Sequence, residues 1–415
     1  MINFRSISIR NWRQFRAVEI SFHDRMTIIT GANGAGKTTI LNILSQHFGW
    51  NLAFVGTLRI SRSGAREYFS GVSEEDEAIG PPDAQIPVGQ LAYSDTSTAT
   101  LTVPSQGDAF HVAISGRQSV PGVYITSHRP VYSYQRVTEI PTEVQAGEQL
   151  FQQYLDNIRQ FYTPRARIES PSHRLKAALI SLSTFGYGNE VVRPNQQARE
   201  VFEGFSEILR YVLPPDLGFR RITIEMPEVI LESDTGDFSL DAASGGVAAL
   251  IDVAWQIFMQ SLQEAAFVVV MDEPENHLHP RLQRSVLPGL LRAFPQAQFI
   301  VATHNPFVVT SVQDSTVVIL DFVDGKVESA SLDDVDRSAS ANEVLSDVLG
   351  VPFPVPLWVE TEIDTIVKSV ENDELTPELL DHVRGRLSGI GLGSLFPTVF
   401  DRLLPESPSS SEDRR

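Results

Sequence analysis

The chain contains no cysteine. That excludes disulfides, thiolate zinc sites, iron–sulfur clusters and cysteine nucleophiles, and it fits a reducing compartment. Long apolar runs are missing too. The longest strongly apolar stretch, Ala265 to Met271, falls far short of a membrane span, and the opening MINFRSISIRNWRQF has no apolar signal core, so a cytoplasmic protein with no membrane partner is expected. Positive charge is scarce. Thirty-three Lys and Arg stand against 52 Asp and Glu, and the net charge of −19 opposes long-range attraction to nucleic acid. There is no internal repeat and no heptad run long enough for an extended coiled coil. What is present is ordinary globular material: 415 residues, 42% hydrophobic, enough for one large α/β domain with insertions or for two domains.

The stretch FRSISIRNWRQFRAVEISFHDRMTIITG reads as two strands with alternating apolar residues and then a short buried strand, Met26 to Ile29. A glycine-rich turn, Gly31 to Gly36, leads into a helix with Ile40, Leu41, Ile43, Leu44 and Phe48 on one face. Short β-like runs (TLRIS, AFHVAIS, GVYITS) among Gly, Ser, Thr and Pro predict a β-rich lobe over about 51–137. The segments EQLFQQYLDNIRQFY, HRLKAALISL and QAREVFEGFSEILRYVL predict a helical lobe over about 143–214. Strand spacing returns in FRRITIEMPEVILE and DFSLDAAS. A helix Val247 to Gln263, a buried strand Phe267 to Met271, a helix Arg281 to Ala293 and the strands QFIVAT and TVVILDF then form a βαβ series, which predicts a largely parallel sheet. Residues 1–328 are taken as the main domain, 329–341 as a linker, 342–404 as a small helical region and 405–415 as a disordered tail. The acidic runs at 74–77 and 333–336 read as solvated loops.

GANGAGKTT, Gly31 to Thr39, meets the G-x-x-x-x-G-K-[ST] pattern at each required place, between a predicted strand and a predicted helix. Glycines let the backbone N–H groups of Gly31, Ala32, Asn33, Gly34, Ala35 and Gly36 turn inward around a phosphate. Lys37 reaches the β- and γ-phosphates, the Thr38 hydroxyl can ligate Mg²⁺, and Thr39 continues the helix N-terminus behind the phosphates. Such a loop needs an acid at the end of a second strand, and FVVVMDEP supplies two. Asp272 is assigned to Mg²⁺, and Glu273 to orienting and deprotonating the attacking water.

ISIRNWRQFRAVEISFHDRMTIITGANGAGKTTIL, VVVMDEPENHLHP and FIVATHNPFVV together resemble the ABC-type ATPase heads of the SMC, RecF and OLD-like class, over about Met1 to Ile60 and Arg220 to Asp321. The resemblance implies an α/β P-loop NTPase fold of ABC type, with an N-terminal antiparallel β subdomain, inserted β-rich and helical lobes and a small helical C-terminal region. It implies ATP and Mg²⁺ as ligands, Glu273 and His304 as catalytic residues, and Ser244, Gly245 and Gly246 as a signature that caps ATP held by a second subunit. In this chain Ala243 replaces the usual leucine and Val247 the usual polar residue, which leaves an ordinary helix N-cap as the alternative. Asn276, His277, Leu278 and His279 match the loop that crosses the dimer seam. His277 and His279 beside carboxylates have the composition of a transition-metal site, but those carboxylates are already committed to Mg²⁺ and water. Arg13 stands where such heads place a phosphate-contacting arginine, with an exposed edge-strand arginine as the alternative. Gln135 and Arg129 stand where a metal-sensing glutamine loop would lie, and no spacing rule selects between them.

The resemblance further implies a homodimer closed around ATP, with any higher assembly left open. DEPENHLHP with THNPFVV, no coiled-coil arms and no C-terminal Toprim domain make the chain most similar to the ATPase subunits of two-gene, Septu-like anti-phage systems. Their partner is an effector encoded nearby, an HNH or a Toprim nuclease, acting on DNA or RNA. The alternatives are a RecF-like repair ATPase that binds DNA directly, and a slowly hydrolysing ATP-dependent scaffold.

Overall fold

The computed structural model describes residues 2–60, 66–72, 84–129, 134–142, 156, 170–331, 357–370, 376–389, 392–393 and 396–403. The helix expected within 148–162, the two acidic runs, most of the 329–341 linker and the tail lie outside the described residues, apart from Asp156.

Strands β1 (Phe4–Trp12) and β2 (Phe15–Ser21) form an antiparallel hairpin with Ile9 opposite Val18. Their alternating apolar residues put Ile7, Ile9, Val18 and Ile20 in the core. Strand β3 (Met26–Gly31) is buried along its whole length, the property of a strand covered on both faces. The helix Lys37–Ser45 follows, with Ile40, Leu41, Ile43 and Leu44 fully buried. Each such side chain contributes roughly 1.5–3 kcal/mol by burial.

The stretch 51–137 is divided among several places. Strands β4 (Phe54–Val55) and β9 (Ala109–Phe110) pair with each other, as do β5 (Thr57–Ile60) and β6 (Arg66–Phe69). Strands β7 (Gln85–Tyr93), β8 (Thr98–Pro104) and β10 (Ala113–Ser115) instead extend the main sheet antiparallel from β1, while β11 (Gly122–Ile125) becomes its opposite edge.

The helices Pro171–Tyr187 and Gln196–Val212 come next, capped by the Ser170 and Asn195 side chains. A small sheet of β12 (Phe219–Glu225), β13 (Glu228–Ser233) and β14 (Phe238–Ser239) precedes the helix Gly245–Ser261, which is buried continuously from Val247 to Gln260. That helix is buried all round because helix Gln196–Val212 packs on it from one side, with Phe205 edge-on to Trp255 at 4.8 Å, and strands of the main sheet meet it on the other.

With β15 (Phe267–Asp272), β16 (Ala297–Ala302), β17 (Thr316–Val323) and β18 (Lys326–Ser331), the main sheet has eleven strands in the order β10-β8-β7-β1-β2-β18-β17-β3-β16-β15-β11. The expected parallel sheet is confined to the five strands from β17 to β11. Elsewhere pairing is antiparallel except between β18 and β2. The carboxyl ends of β3, β16 and β15 lie side by side, and that edge of an open α/β sheet is where ligands bind.

A second compact unit contains the helices Leu357–Val370, Pro377–Gly389 and Phe396–Leu403, with its own core of Val359, Ile363, Ile366, Val370, Val383, Leu387 and Val399.

Candidate functional site

Space and backbone geometry set the glycines of the loop between β3 and the helix Lys37–Ser45. Gly31, Gly34 and Gly36 have φ of 136°, 81° and 98°, values that side chains disfavour. A Cβ on Gly31 would lie 2.2 Å from the Leu320 carbonyl oxygen of β17, and one on Gly36 would lie 2.4 Å from the Phe15 ring. The loop therefore packs backbone against neighbours and leaves the N–H groups at the helix start for an anion. Lys37 Nζ arches back to donate to the carbonyls of Gly31 at 2.8 Å and Ala32 at 3.1 Å. Burial lowers its pKa, while the charges of Glu273, Asp272 and Glu275 pull the other way. Ala35 is fully buried beneath the loop, where its N–H donates to the Ala32 carbonyl at 3.2 Å.

A cavity of about 270 Å³ opens here, lined by Gln14, Asn33, Gly34, Gly36, Lys37, Thr38, Thr39, Asp272 and Glu273. Because β16 separates β3 from β15 by one strand, the acids of β15 face the loop across the cavity. Thr38 Oγ1 donates to Asp272 Oδ2 at 2.9 Å. Burial raises the Asp272 pKa and the Thr38 hydroxyl partly offsets it. A hydroxyl beside a buried carboxylate is an all-oxygen, hard donor set, which fits Mg²⁺ rather than a softer metal.

Glu273 is held with φ +46°, unusual for a side chain with a Cβ. Its N–H donates to the Ala302 carbonyl at 2.8 Å. Asn276 Nδ2 donates to Glu273 Oε2 at 2.9 Å and to the Ser127 carbonyl at 3.0 Å. The Arg129 guanidinium donates to the carbonyls of Glu273, Pro274 and Asn276 at 3.2 to 3.4 Å. A strained backbone persists only where its surroundings over-determine it, and here two loops and a strand end do so. On the other carboxylate oxygen, His304 Nδ1 lies 3.0 Å from Glu273 Oε1, within hydrogen-bonding distance.

Gly31 through Thr39, Asp272, Glu273 and His304 are thus brought together. Arg13 is not. Its turn has positive φ at Asn11 and Arg13, its guanidinium stacks 5.3 Å from the Phe54 ring centroid and donates to the Val55 carbonyl at 2.7 Å, and the cavity wall is its neighbour Gln14. Nor does Gln135 reach the cavity as a metal ligand: its Oε1 accepts from Ser170 Oγ at 3.0 Å. Arg129 braces the turn after β15 instead of touching the phosphate loop.

Ser244 occupies the N-cap position of the helix Gly245–Ser261 but its side chain makes no capping bond, and Ser244 and Gly245 are exposed away from this chain's own cavity. A Cβ on Gly246 would lie 3.2 Å from the His277 carbonyl oxygen, so that helix start packs on the turn after β15. His277 takes a left-handed conformation there, Leu278 is buried, and His279 Nδ1 caps a short helix by accepting from the Arg281 N–H at 3.3 Å. Gln14 and Glu275 carry no motif of their own, and the grip of Asn276 on Glu273 and the bracing by Arg129 are not what their motif positions imply. Only the position of Gln14 in the turn facing the glycine loop could have drawn attention to it.

Fold and site together have the arrangement of an α/β P-loop NTPase, with an antiparallel hairpin ahead of the phosphate loop. Residues 6–77 match a family model described as "AAA domain", and residues 142–310 match one described as "AAA domain, putative AbiEii toxin, Type IV TA system". Among similar proteins, the Septu protein PtuA of Bacillus thuringiensis is 19% identical over 395 residues, 90% of this chain and 91% of that protein. The Retron Vc95 probable ATPase of Vibrio cholerae serotype O1 biovar El Tor is 31% identical over 107 residues, 25% of this chain, and the Septu protein PtuA of Bacillus mycoides (strain KBAB4) is 35% identical over 86 residues, 20% of this chain. The chain covers 20% and 12% of the lengths of those last two. Similar solved structures include the SMC head domain from Thermotoga maritima, at a TM-score of 0.41 and 16% identity over 80% of this chain and 99% of that one. An ATP-binding cassette of an ABC transporter in its ADP conformation has a TM-score of 0.39 and 15% identity over 86% of this chain and 100% of that one. Among the described residues no helix is long and apolar enough to cross a membrane.

Proposed function

We propose that this chain binds and hydrolyses ATP, closes head to tail with a second copy around the nucleotide, and through that cycle controls a nuclease partner in anti-phage defence. One observation carries the hydrolytic part: Thr38 and Asp272 meet at 2.9 Å on one side of the cavity while Glu273 and His304 meet at 3.0 Å beside it. Thr38 and Asp272 would hold Mg²⁺, which would supply positive charge to the phosphate oxygens. The loop N–H groups and Lys37 bind and orient the phosphates. Glu273 orients the attacking water and takes its proton, with its carboxylate aimed by Asn276 on one oxygen and by His304 on the other.

The exposed, uncapped Ser244 at a helix N-terminus supports the dimer: a hydroxyl and free N–H groups there suit the γ-phosphate of ATP held by a second copy. The likeness to a Septu protein over nine-tenths of the chain, and to retron ATPases over shorter segments, supports the defence role; the nuclease partner, of HNH or Toprim type, is part of the proposal and rests on the sequence resemblance alone. The experiment is co-purification with the product of the adjacent gene, alongside DNA binding by the isolated chain at several salt concentrations. Tight association with the nuclease and weak DNA binding are expected. A homodimer that captures no partner and binds DNA with steep salt dependence would replace this reading with a DNA-repair ATPase.

A further inference from the structure

The turn after β15 contains a second buried carboxyl that the hydrolytic scheme does not use. Glu275 is 4% exposed. Its Oε1 accepts from Thr303 Oγ1 at 2.5 Å, and its Oε2 is buried with no hydrogen-bond partner among the described residues. Burying a carboxyl with one oxygen unsatisfied costs free energy, so an apolar residue here would be the better choice for stability alone. The bond it does make has a specific target. Thr303 is fully buried, its N–H donates to the Ile29 carbonyl of β3 at 3.0 Å, and its hydroxyl also accepts the Asn305 N–H at 2.9 Å. His304 stands between these two tied residues. The Glu275 carbonyl also accepts the Leu278 N–H at 2.9 Å, which fixes the turn from the inside.

We propose that Glu275 is a positioning residue that fastens the turn carrying Glu273 to the strand end carrying His304, so that the 3.0 Å contact between Glu273 and His304 is held in register. The two pieces come from β15 and β16, whose main-chain pairing ends at Asp272 and Ala302, and beyond that point the Glu275–Thr303 bond is a buried side-chain tie between them. This inference rests on the reading of Glu273 and His304 as the hydrolytic pair.

The test compares Glu275→Leu, Thr303→Val and the double variant with the conservative Glu275→Gln and Thr303→Ser, measuring kcat, KM and nucleotide affinity with a fluorescent ATP analogue. Misplacing a catalytic group by a fraction of an ångström to one ångström is worth roughly ten- to a hundredfold in rate, so Glu275→Leu and Thr303→Val should each lower kcat by that factor with analogue affinity changed by less than about threefold. Because both remove the same bond, the double variant should be no slower than the slower single one. Glu275→Gln keeps an acceptor oxygen and Thr303→Ser keeps the hydroxyl, so both should recover most of the rate. Multiplicative losses in the double variant, an unchanged kcat in the nearly isosteric Thr303→Val, or a Gln variant as slow as the Leu variant would overturn the proposal. Glu273→Gln is run beside them: if it keeps turnover, the hydrolytic reading itself fails, whereas a dead Glu273→Gln with a fully active Thr303→Val removes only the role of Glu275.

Discussion

Replacing Glu273 by glycine and, separately, by alanine separates the strain at this position from its chemistry. Both substitutions delete the bonds to His304 and Asn276, at 3.0 and 2.9 Å, on a side chain that is 29% exposed. Those losses are about 1 kcal/mol each and are common to the two variants. They differ in the backbone. At φ +46° a residue with a Cβ is held at a cost of about 1–2 kcal/mol, which alanine keeps and glycine releases, while glycine gives back roughly 0.5–1 kcal/mol through greater freedom in the unfolded chain. The glycine variant should therefore be equal to the alanine variant or more stable by up to about 1.5 kcal/mol, whereas at an ordinary position it would be the less stable by about 0.5–1 kcal/mol. Urea unfolding at unchanged m-value reads the difference directly. In both variants phosphate release should fall by roughly a hundredfold or more, the scale for loss of a general base. An alanine variant clearly more stable than the glycine variant would refute the strain argument, and retained turnover would remove Glu273 from catalysis.

Lys37→Ala should abolish nucleotide binding in a fluorescent-nucleotide titration, because no other cation lines the cavity among the described residues. Gly36→Ala places a Cβ 2.4 Å from the buried Phe15 ring at φ 98°, and overpacking with backbone strain should cost roughly 2–4 kcal/mol in chemical unfolding. His47 is half-buried against Tyr93, and desolvation lowers its pKa to about 4. Between pH 6.5 and about 4 the unfolded chain binds a proton that the folded chain excludes, so this contribution is fully present above pH 6.5 and is lost as pH falls through that window, by about 3 kcal/mol. His47→Gln should flatten that part of the stability profile, and parallel profiles would contradict it.

The phosphate loop and the acids of β15 were legible in the sequence because their chemistry needs fixed spacing along one stretch of chain, with a strand on one side. What brings them together was not local. The run GVYI of β11 is the same short apolar run whether it belongs to a separate lobe or to the sheet edge beside β15, and only its parallel register, Ile125 opposite Met271, decides. Likewise β7 pairs with β1 across some eighty residues of chain, a choice set by tertiary packing rather than by pattern. Arg13 and Gln14 show the finest failure. The left-handed residues Asn11 and Arg13 turn the hairpin so that the arginine stacks on Phe54 and the glutamine faces Gly36, a one-residue difference that periodicity does not resolve. Arg129 stands out in the sequence only as a glutamine-loop candidate, and its bracing of main chain, like the bond between Glu275 and a neighbouring hydroxyl, leaves no spacing signal.

Hydrolysis as proposed requires Glu273 to act on water beside a nucleotide held by the loop of Lys37. The most direct test is single-turnover hydrolysis of ATP by the Glu273→Gln chain, with bound nucleotide quantified in the same sample. The account predicts full ATP occupancy, accumulation of the ATP-bound dimer and a hydrolysis rate lower by roughly a hundredfold or more. Hydrolysis at the unaltered chain's rate with ATP bound would contradict it.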